Sequence, residues 1–297
     1  MSLLFEGVSV AVTTPMLASG EVDFDSFRKH LEFLKENNTQ GFIINGTTGE
    51  GTTLTAEEYT RLFEIALDVA NKELPVIAGT GSNITSEAVL ASVAAQELGV
   101  DALLVITPYY NKTDQRGAIH HFTTIADAVD IPIILYDVPS RTGMTLEPET
   151  VAELSKHENI VAIKDATGNL SHLTQMMNLV DDDFAFYSGN DDTALQFYAT
   201  GGHGLISVVG NVIPKEHQHL YELSLTDPRG AADLNRHLFK FTQEIGKDLN
   251  PLSIKAVVSH LGYGEYNVRL PLYPLGKERV EELVQAYQAV KEGMVIL

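Results

Sequence analysis

The chain has 297 residues, 44% hydrophobic and 20% charged, a composition for one large domain or two ordinary ones and not for a disordered chain. Its 40 acidic and 20 basic residues give a net charge of −20, which repels nucleic acid phosphates and anionic membranes, so an anionic substrate must be drawn in by a few local cations. Cysteine is absent, which excludes disulfides, thiolate nucleophiles and cysteine-based zinc sites and fits a reducing cytoplasmic setting.

The opening stretch "MSLLFEGVSVAVTTPM" lacks a basic leader and is interrupted by Glu6, so no signal peptide is expected. No apolar run approaches the roughly 20 residues of a membrane helix. Short β-rich runs then recur: "VSVAV" at 8–12, "GFIIN" at 41–45, "PVIAG" at 75–79 and "ALLVI" at 102–106. They continue with "IPIILY" at 131–136, "IVAIK" at 160–164, "FAFYS" at 184–188 and "GLISV" at 204–208. These runs are continuously apolar, as parallel strands covered on both faces require. Helical patterns lie between them. "DFDSFRKHLEFLKEN" places Phe24, Phe27, Leu31 and Leu34 at helical spacing, and "TAEEYTRLFEIALDVAN" opens on a threonine cap with an acidic first turn.

Eight strand–helix units within about 225 residues favour a closed (β/α)8 TIM barrel over an open doubly wound sheet. The strand pattern stops near Pro228, and "RGAADLNRHLFKFTQEIGK", "PLSIKAVVSHLG" and "KERVEELVQAYQAVKEG" read as three helices. The expected organisation is a catalytic barrel over residues 1–227 followed by a C-terminal helical extension over 228–297.

In such a barrel the site forms where the strands end. Lys164 ends an apolar run, and strand alternation puts Ile160, Ala162 and Lys164 on one face, Val161 and Ile163 on the other. Two readings are open: a lysine that reaches solvent or pairs with Asp165, and a desolvated amine that attacks a ketone to form a Schiff base. Tyr136 ends the fifth strand, as an ordinary core tyrosine or as a proton shuttle, and Tyr109 and Tyr110 are equally ambiguous. Arg141 in "PSRTG" is either a solvated loop residue or a fork for a carboxylate. "GTTGEG" brings backbone N–H groups and the hydroxyls of Thr47 and Thr48 before a helix, suited to a small anion or to a plain turn. "NDD" at 190–192 reads better as a helix cap than as a metal site. Neither "HH" at 120–121 nor "HQH" at 217–219 has the spacing of a helical zinc site.

Taken in order, "GTTGE", "TPYYN", "YDVPSRTG", "IKDATGN" and "GGHGLISV" resemble the dihydrodipicolinate synthase branch of the Schiff-base aldolase superfamily, over nearly the whole chain. The resemblance implies a (β/α)8 barrel with a C-terminal helical extension. It implies that Lys164 forms an imine with pyruvate, that Tyr136 relays protons, and that Thr47 links it to Tyr110 from a neighbouring subunit. It also implies that Thr48 holds the pyruvate carboxylate and Arg141 the carboxylate of L-aspartate 4-semialdehyde, with the backbone of Gly189 and Ile206 lining the pyruvate pocket. The implied product is 4-hydroxy-tetrahydrodipicolinate, on the route to diaminopimelate and lysine, with no metal or organic cofactor. The implied assembly is a homodimer or homotetramer.

Two departures stand out. Asp137 occupies a place where many relatives have asparagine, and alternation points it away from Tyr136. Lysine-inhibited relatives carry histidines where this chain has Ala56 and Tyr59, although Asn83, Glu87 and Tyr109 remain, so weak or absent lysine feedback is expected. The rivals within the superfamily are N-acetylneuraminate lyases and 2-keto-3-deoxy sugar acid aldolases. The Thr47–Thr48 pair and Arg141 favour the synthase over the neuraminate lyases. A non-catalytic barrel that binds a small anion is the alternative of another class.

Overall fold

The computed structural model describes residues 3–293. Eight strands among them close into a parallel barrel in chain order: β1 (Gly7–Ala11), β2 (Phe42–Ile44), β3 (Val76–Gly79), β4 (Ala102–Ile106), β5 (Ile133–Asp137), β6 (Ile160–Asp165), β7 (Ala185–Ser188) and β8 (Gly204–Ser207). β1 pairs with β8 to complete the ring, so no sheet edge is left open. The two faces of each strand meet different cores. Ile43, Ile77, Ile134, Ala162, Tyr187 and Ile206 fill the interior. Val10, Phe42, Val76, Leu103, Leu135 and Ile163 face the surrounding helices. Continuous apolar runs are thus required on both sides of the ring. Phe5 joins the interior and stacks on Tyr187 with centroids 4.1 Å apart, while the Tyr187 hydroxyl donates to the Phe5 carbonyl at 3.0 Å.

Local signals account for the helices. Asp23 caps helix Phe24–Glu36 by accepting from the Ser26 N–H, and Phe27, Leu31 and Leu34 are buried along one stripe. Burial of such side chains stabilises by roughly 1.5–3 kcal/mol each. Thr55 and Glu58 form a reciprocal capping box that starts helix Ala56–Ala70. One expectation fails. Ile160 packs with the outer layer, and Val161 packs against the interior cluster. The register between β5 and β6 slips there, with Ile133 opposite Ile160 but Ile134 opposite Ala162. The extra residue resets the alternation, which holds from Ala162 to Lys164.

After helix Pro214–Thr226 a single residue, Asp227, precedes helix Pro228–Gly246. Helices Leu252–His260 and Lys277–Gly293 follow. Their apolar faces share a cluster with Val209, Val212 and Ile213, just beyond the end of β8. The tail therefore docks at the C-terminal mouth of the barrel. Among the described residues no helix is long and apolar enough to cross a membrane.

Candidate active site

A cavity of about 1210 Å³ opens at that mouth. Thr47, Thr48, Tyr136, Arg141, Lys164 and Gly189 line it, brought together from the ends of β2, β5, β6 and β7 and the segments that follow them. Tyr136 and Lys164 are register partners on β5 and β6, so both side chains project from one face of adjacent strands. The Lys164 Nζ sits 4.3 Å from the centre of the Tyr136 ring.

Lys164 is 5% exposed, which rejects the snorkelling reading. Its ammonium has left most of its water, and this desolvation, with the Arg141 charge, lowers its pKa to about 8 against a partly offsetting pull from Asp191. At pH 7 about a tenth of such amines is neutral, compared with about one in a few thousand at the ordinary value. Burial pushes the Tyr136 phenol up to about 12, although the Arg141 charge and a hydrogen bond with Thr47 restrain the rise. Tyr136 is therefore protonated at neutral pH and is first a donor.

Gly189 has a steric reason to be glycine. A Cβ there would lie 2.7 Å from the Ala166 Cβ and 3.2 Å from the Lys164 Cε, which would displace the lysine stem. Arg141 sits exposed on the short helix Pro139–Thr142, its Nη2 donating to the Asn250 carbonyl at 3.4 Å. Thr48 is buried, and its Oγ1 accepts from the Asn250 Nδ2 at 3.0 Å. Two of the expected residues are not among those that line this chain's cavity. Ile206 is buried in the interior packing and its side chain does not line the cavity. Tyr110 is 92% exposed and does not line this chain's cavity, whereas its neighbour Tyr109 does. The split follows from the backbone, because Tyr110 adopts φ 65°, a left-handed conformation rare for a bulky side chain.

The glycine-rich turn differs from an open amide cradle. The N–H groups of Gly49 and Gly51 donate to the Gly46 carbonyl and that of Glu50 to the Thr47 carbonyl, so three of its amides close the turn on itself. A 3-10 turn, Gly51–Thr53, separates it from the helix. Thr47 and Thr48 line the cavity beside Gly46 and Gly51, and the N–H groups of the two threonines are not among those that close the turn.

Two site residues escaped sequence reasoning. Asp191 caps nothing by its side chain at its own helix; it accepts from the Ser207 hydroxyl and, at 2.9 Å, from the Val208 N–H, which fixes a carboxylate near Lys164. Asn250 comes from the tail and bridges Thr48 and Arg141, and no local pattern announces a contact with a residue 202 positions earlier. Asp137 is fully buried on the opposite side of β5 from Tyr136, accepting from the Leu146 N–H at 3.0 Å.

The dihydrodipicolinate synthetase family matches residues 4–290 of the chain. The 4-hydroxy-tetrahydrodipicolinate synthase of Macrococcus caseolyticus is 47% identical over 294 residues, covering 99% of each chain. That of Staphylococcus saprophyticus is 48% identical over 296 residues, again 99% of each. Among solved structures, the chloride-inhibited dihydrodipicolinate synthase of Acinetobacter baumannii complexed with pyruvate superposes with a TM-score of 0.94 at 38% identity, covering 97% of this chain and 99% of that one.

Proposed function

Because this chain belongs to the dihydrodipicolinate synthetase family, we infer that its own Lys164, Tyr136, Thr47 and Thr48 carry the reaction that the family performs. That reaction condenses pyruvate with L-aspartate 4-semialdehyde to give 4-hydroxy-tetrahydrodipicolinate and water. The neutral amine of Lys164 attacks the pyruvate C2 carbonyl. Tyr136 donates its proton to the carbinolamine hydroxyl, which leaves as water, and the resulting phenolate is a base for the C3 methyl of the imine. The enamine carbon then attacks the aldehyde, forming the C–C bond, and Tyr136, now carrying the proton taken from C3, gives it to the aldehyde oxygen, which becomes the hydroxyl. Finally the amino group of the second substrate attacks C2 and displaces the Lys164 amine, closing the ring and freeing the enzyme.

Thr48 is the residue proposed to hold the pyruvate carboxylate, and Arg141 the carboxylate of the semialdehyde at the mouth. The close approach at Gly189 keeps the space beside Lys164 open for pyruvate. The pairing of a buried lysine with a tyrosine in register, under an open cavity, is the observation that carries this reading. The exposed, left-handed Tyr110 supports a role in completing a neighbouring copy's Thr47–Tyr136 relay, so the proposed assembly is a homodimer or a homotetramer built from such dimers. Residues 1–227 are then the catalytic barrel and 228–297 a C-terminal helical extension; the site of action proposed is the cytoplasm.

Sodium borohydride added with pyruvate tests the imine. The expected result is a mass increase confined to the peptide containing Lys164, and turnover of aspartate semialdehyde far above cleavage of sugar acids. An unmodified peptide would leave a binding-only barrel, and preferred sugar-acid cleavage would move the second substrate.

A further inference from the structure

Glu50 and Lys255 form an ion pair that the reaction does not use. The Lys255 Nζ lies 2.5 Å from the Glu50 Oε1, with both side chains almost wholly buried, 3% and 1% exposed. The second oxygen of Glu50 accepts the backbone N–H of Arg269 at 3.0 Å. Glu50 belongs to the turn that carries Thr47 and Thr48, and its own N–H closes that turn on the Thr47 carbonyl at 3.1 Å. Lys255 and Arg269 belong to the tail, more than 200 positions away.

The neighbouring contacts bind the same two segments. The Arg269 Nη1 donates to the Thr53 carbonyl at 2.7 Å and its guanidinium pairs with Glu58, while Asn250 donates to Thr48 at 3.0 Å. Glu50 holds a left-handed backbone at φ 55°, which a glutamate adopts only when its surroundings dictate it. A buried ion pair contributes little net stability compared with an apolar pair of similar size. Stability alone therefore does not explain why charges are kept here. Each oxygen of the one carboxylate is held by a donor of the tail, and this sets the height and rotation of the turn to which the two hydroxyls are attached.

We propose that Glu50 and Lys255 are positioning residues, through which the C-terminal extension holds Thr47 and Thr48 in register with Tyr136 and the pyruvate carboxylate. The proposal rests on the roles of Thr47 and Thr48 given above. Lys255 does not line the cavity, and Glu50, which does, has both carboxylate oxygens held by the tail, so each acts through the turn.

The test compares the parent with the single variant Glu50→Gln, the double variant Glu50→Gln/Lys255→Met, which removes both charges together, and Lys255→Arg, which keeps the charge. Thermal unfolding shows which are folded. Expected for the folded double variant is a ten- to hundred-fold fall in kcat and a rise of similar size in the KM for pyruvate. The KM for aspartate semialdehyde stays within about twofold, because Arg141 lies on another segment, and Lys255→Arg recovers most of the loss. A folded double variant with kcat and pyruvate KM within twofold of the parent overturns the proposal. Should the double variant not fold, Glu50→Gln is read by the same criteria, and failure of every charge-removing variant to fold would make the pair purely structural and overturn it equally. Failure of the underlying reading shows itself separately: the parent then yields no borohydride adduct with pyruvate, or Thr48→Val leaves its pyruvate KM unchanged.

Discussion

Tyr136 and Lys164 face each other across β5 and β6, and so, one residue further along, do Asp137 and Asp165. All four are buried. The first pair looks into the cavity and the second into the layer between strands and helices, where Asp137 accepts from the Leu146 N–H and Asp165 from the Thr167 N–H at 2.7 Å. Desolvation moves the inner pair towards a neutral amine and a protonated phenol, the states in which they are useful to a ketone. The same force, with the charge of Asp165 adding to it, lifts the outer Asp137 carboxyl to about 7, where nothing reacts with it. Perturbed ionisation marks both sides of the strand, and only an open cavity beside the group separates chemistry from architecture.

The comparison breaks first at Lys164. Lys164→Ala is expected to lower kcat/KM by at least about 10³-fold, the scale of a lost nucleophile, and to abolish the borohydride adduct. In the parent the trapping rate should rise with pH and level off above about 8; a profile still climbing through pH 10 would mean a solvated lysine. Tyr136→Phe removes the proton donor but leaves the ring against the lysine, and a loss of about 10²–10⁴-fold in kcat is expected. Unchanged turnover in steady-state assays would assign the proton to another group.

At the rim of the cavity, Arg141→Ala should raise the KM for aspartate semialdehyde about 10- to 100-fold, the worth of one charged hydrogen-bonding contact, while the pyruvate KM changes far less, through the loss of the smaller Arg141 contribution to the Lys164 pKa. Equal changes in both constants would deny it a selective role. On the outer side the expected effect is on stability alone. The folded-state pKa of Asp137 lies above its unfolded value of 3.8, so the native state holds the proton more tightly and stability falls as pH rises from about 4 to about 7. Asp137→Asn keeps an acceptor for the Leu146 N–H, carries no charge at any pH and escapes that fall. It should match the parent near pH 4 and exceed it by roughly 1–3 kcal/mol at pH 8 in urea unfolding, with kcat unaltered. A parent equally stable at both pH values would dismiss the buried-proton account.

The smallest effect is expected of added lysine. Tyr59 lies half-buried on helix Ala56–Ala70 with its ring 4.6 Å from that of Phe63 and its phenol pushed up by burial, in a place where lysine-inhibited relatives are expected to carry histidine. Submillimolar lysine should leave the initial rate unchanged, and substantial inhibition would show that Asn83, Glu87 and Tyr109 suffice.

The eight strand runs, the cap at Thr55, the three tail helices and the ends of the strands that bear Tyr136 and Lys164 could all be read from the chain itself, because they depend on side chains two to four positions apart. The slip at Ile160 could not, since it depends on how β6 settles against β5. Nor could the choice between a solvated and a dry Lys164, the carboxylate of Asp191 beside it, or the splitting of Tyr109 from Tyr110. Asn250, Lys255 and Arg269 reach the Thr47–Thr48 turn only once the ring has closed and the tail has folded over its mouth. Periodicity is a property of neighbours along the chain, whereas burial and charge pairing are properties of neighbours in space, and here the deciding neighbours lie some 200 residues apart.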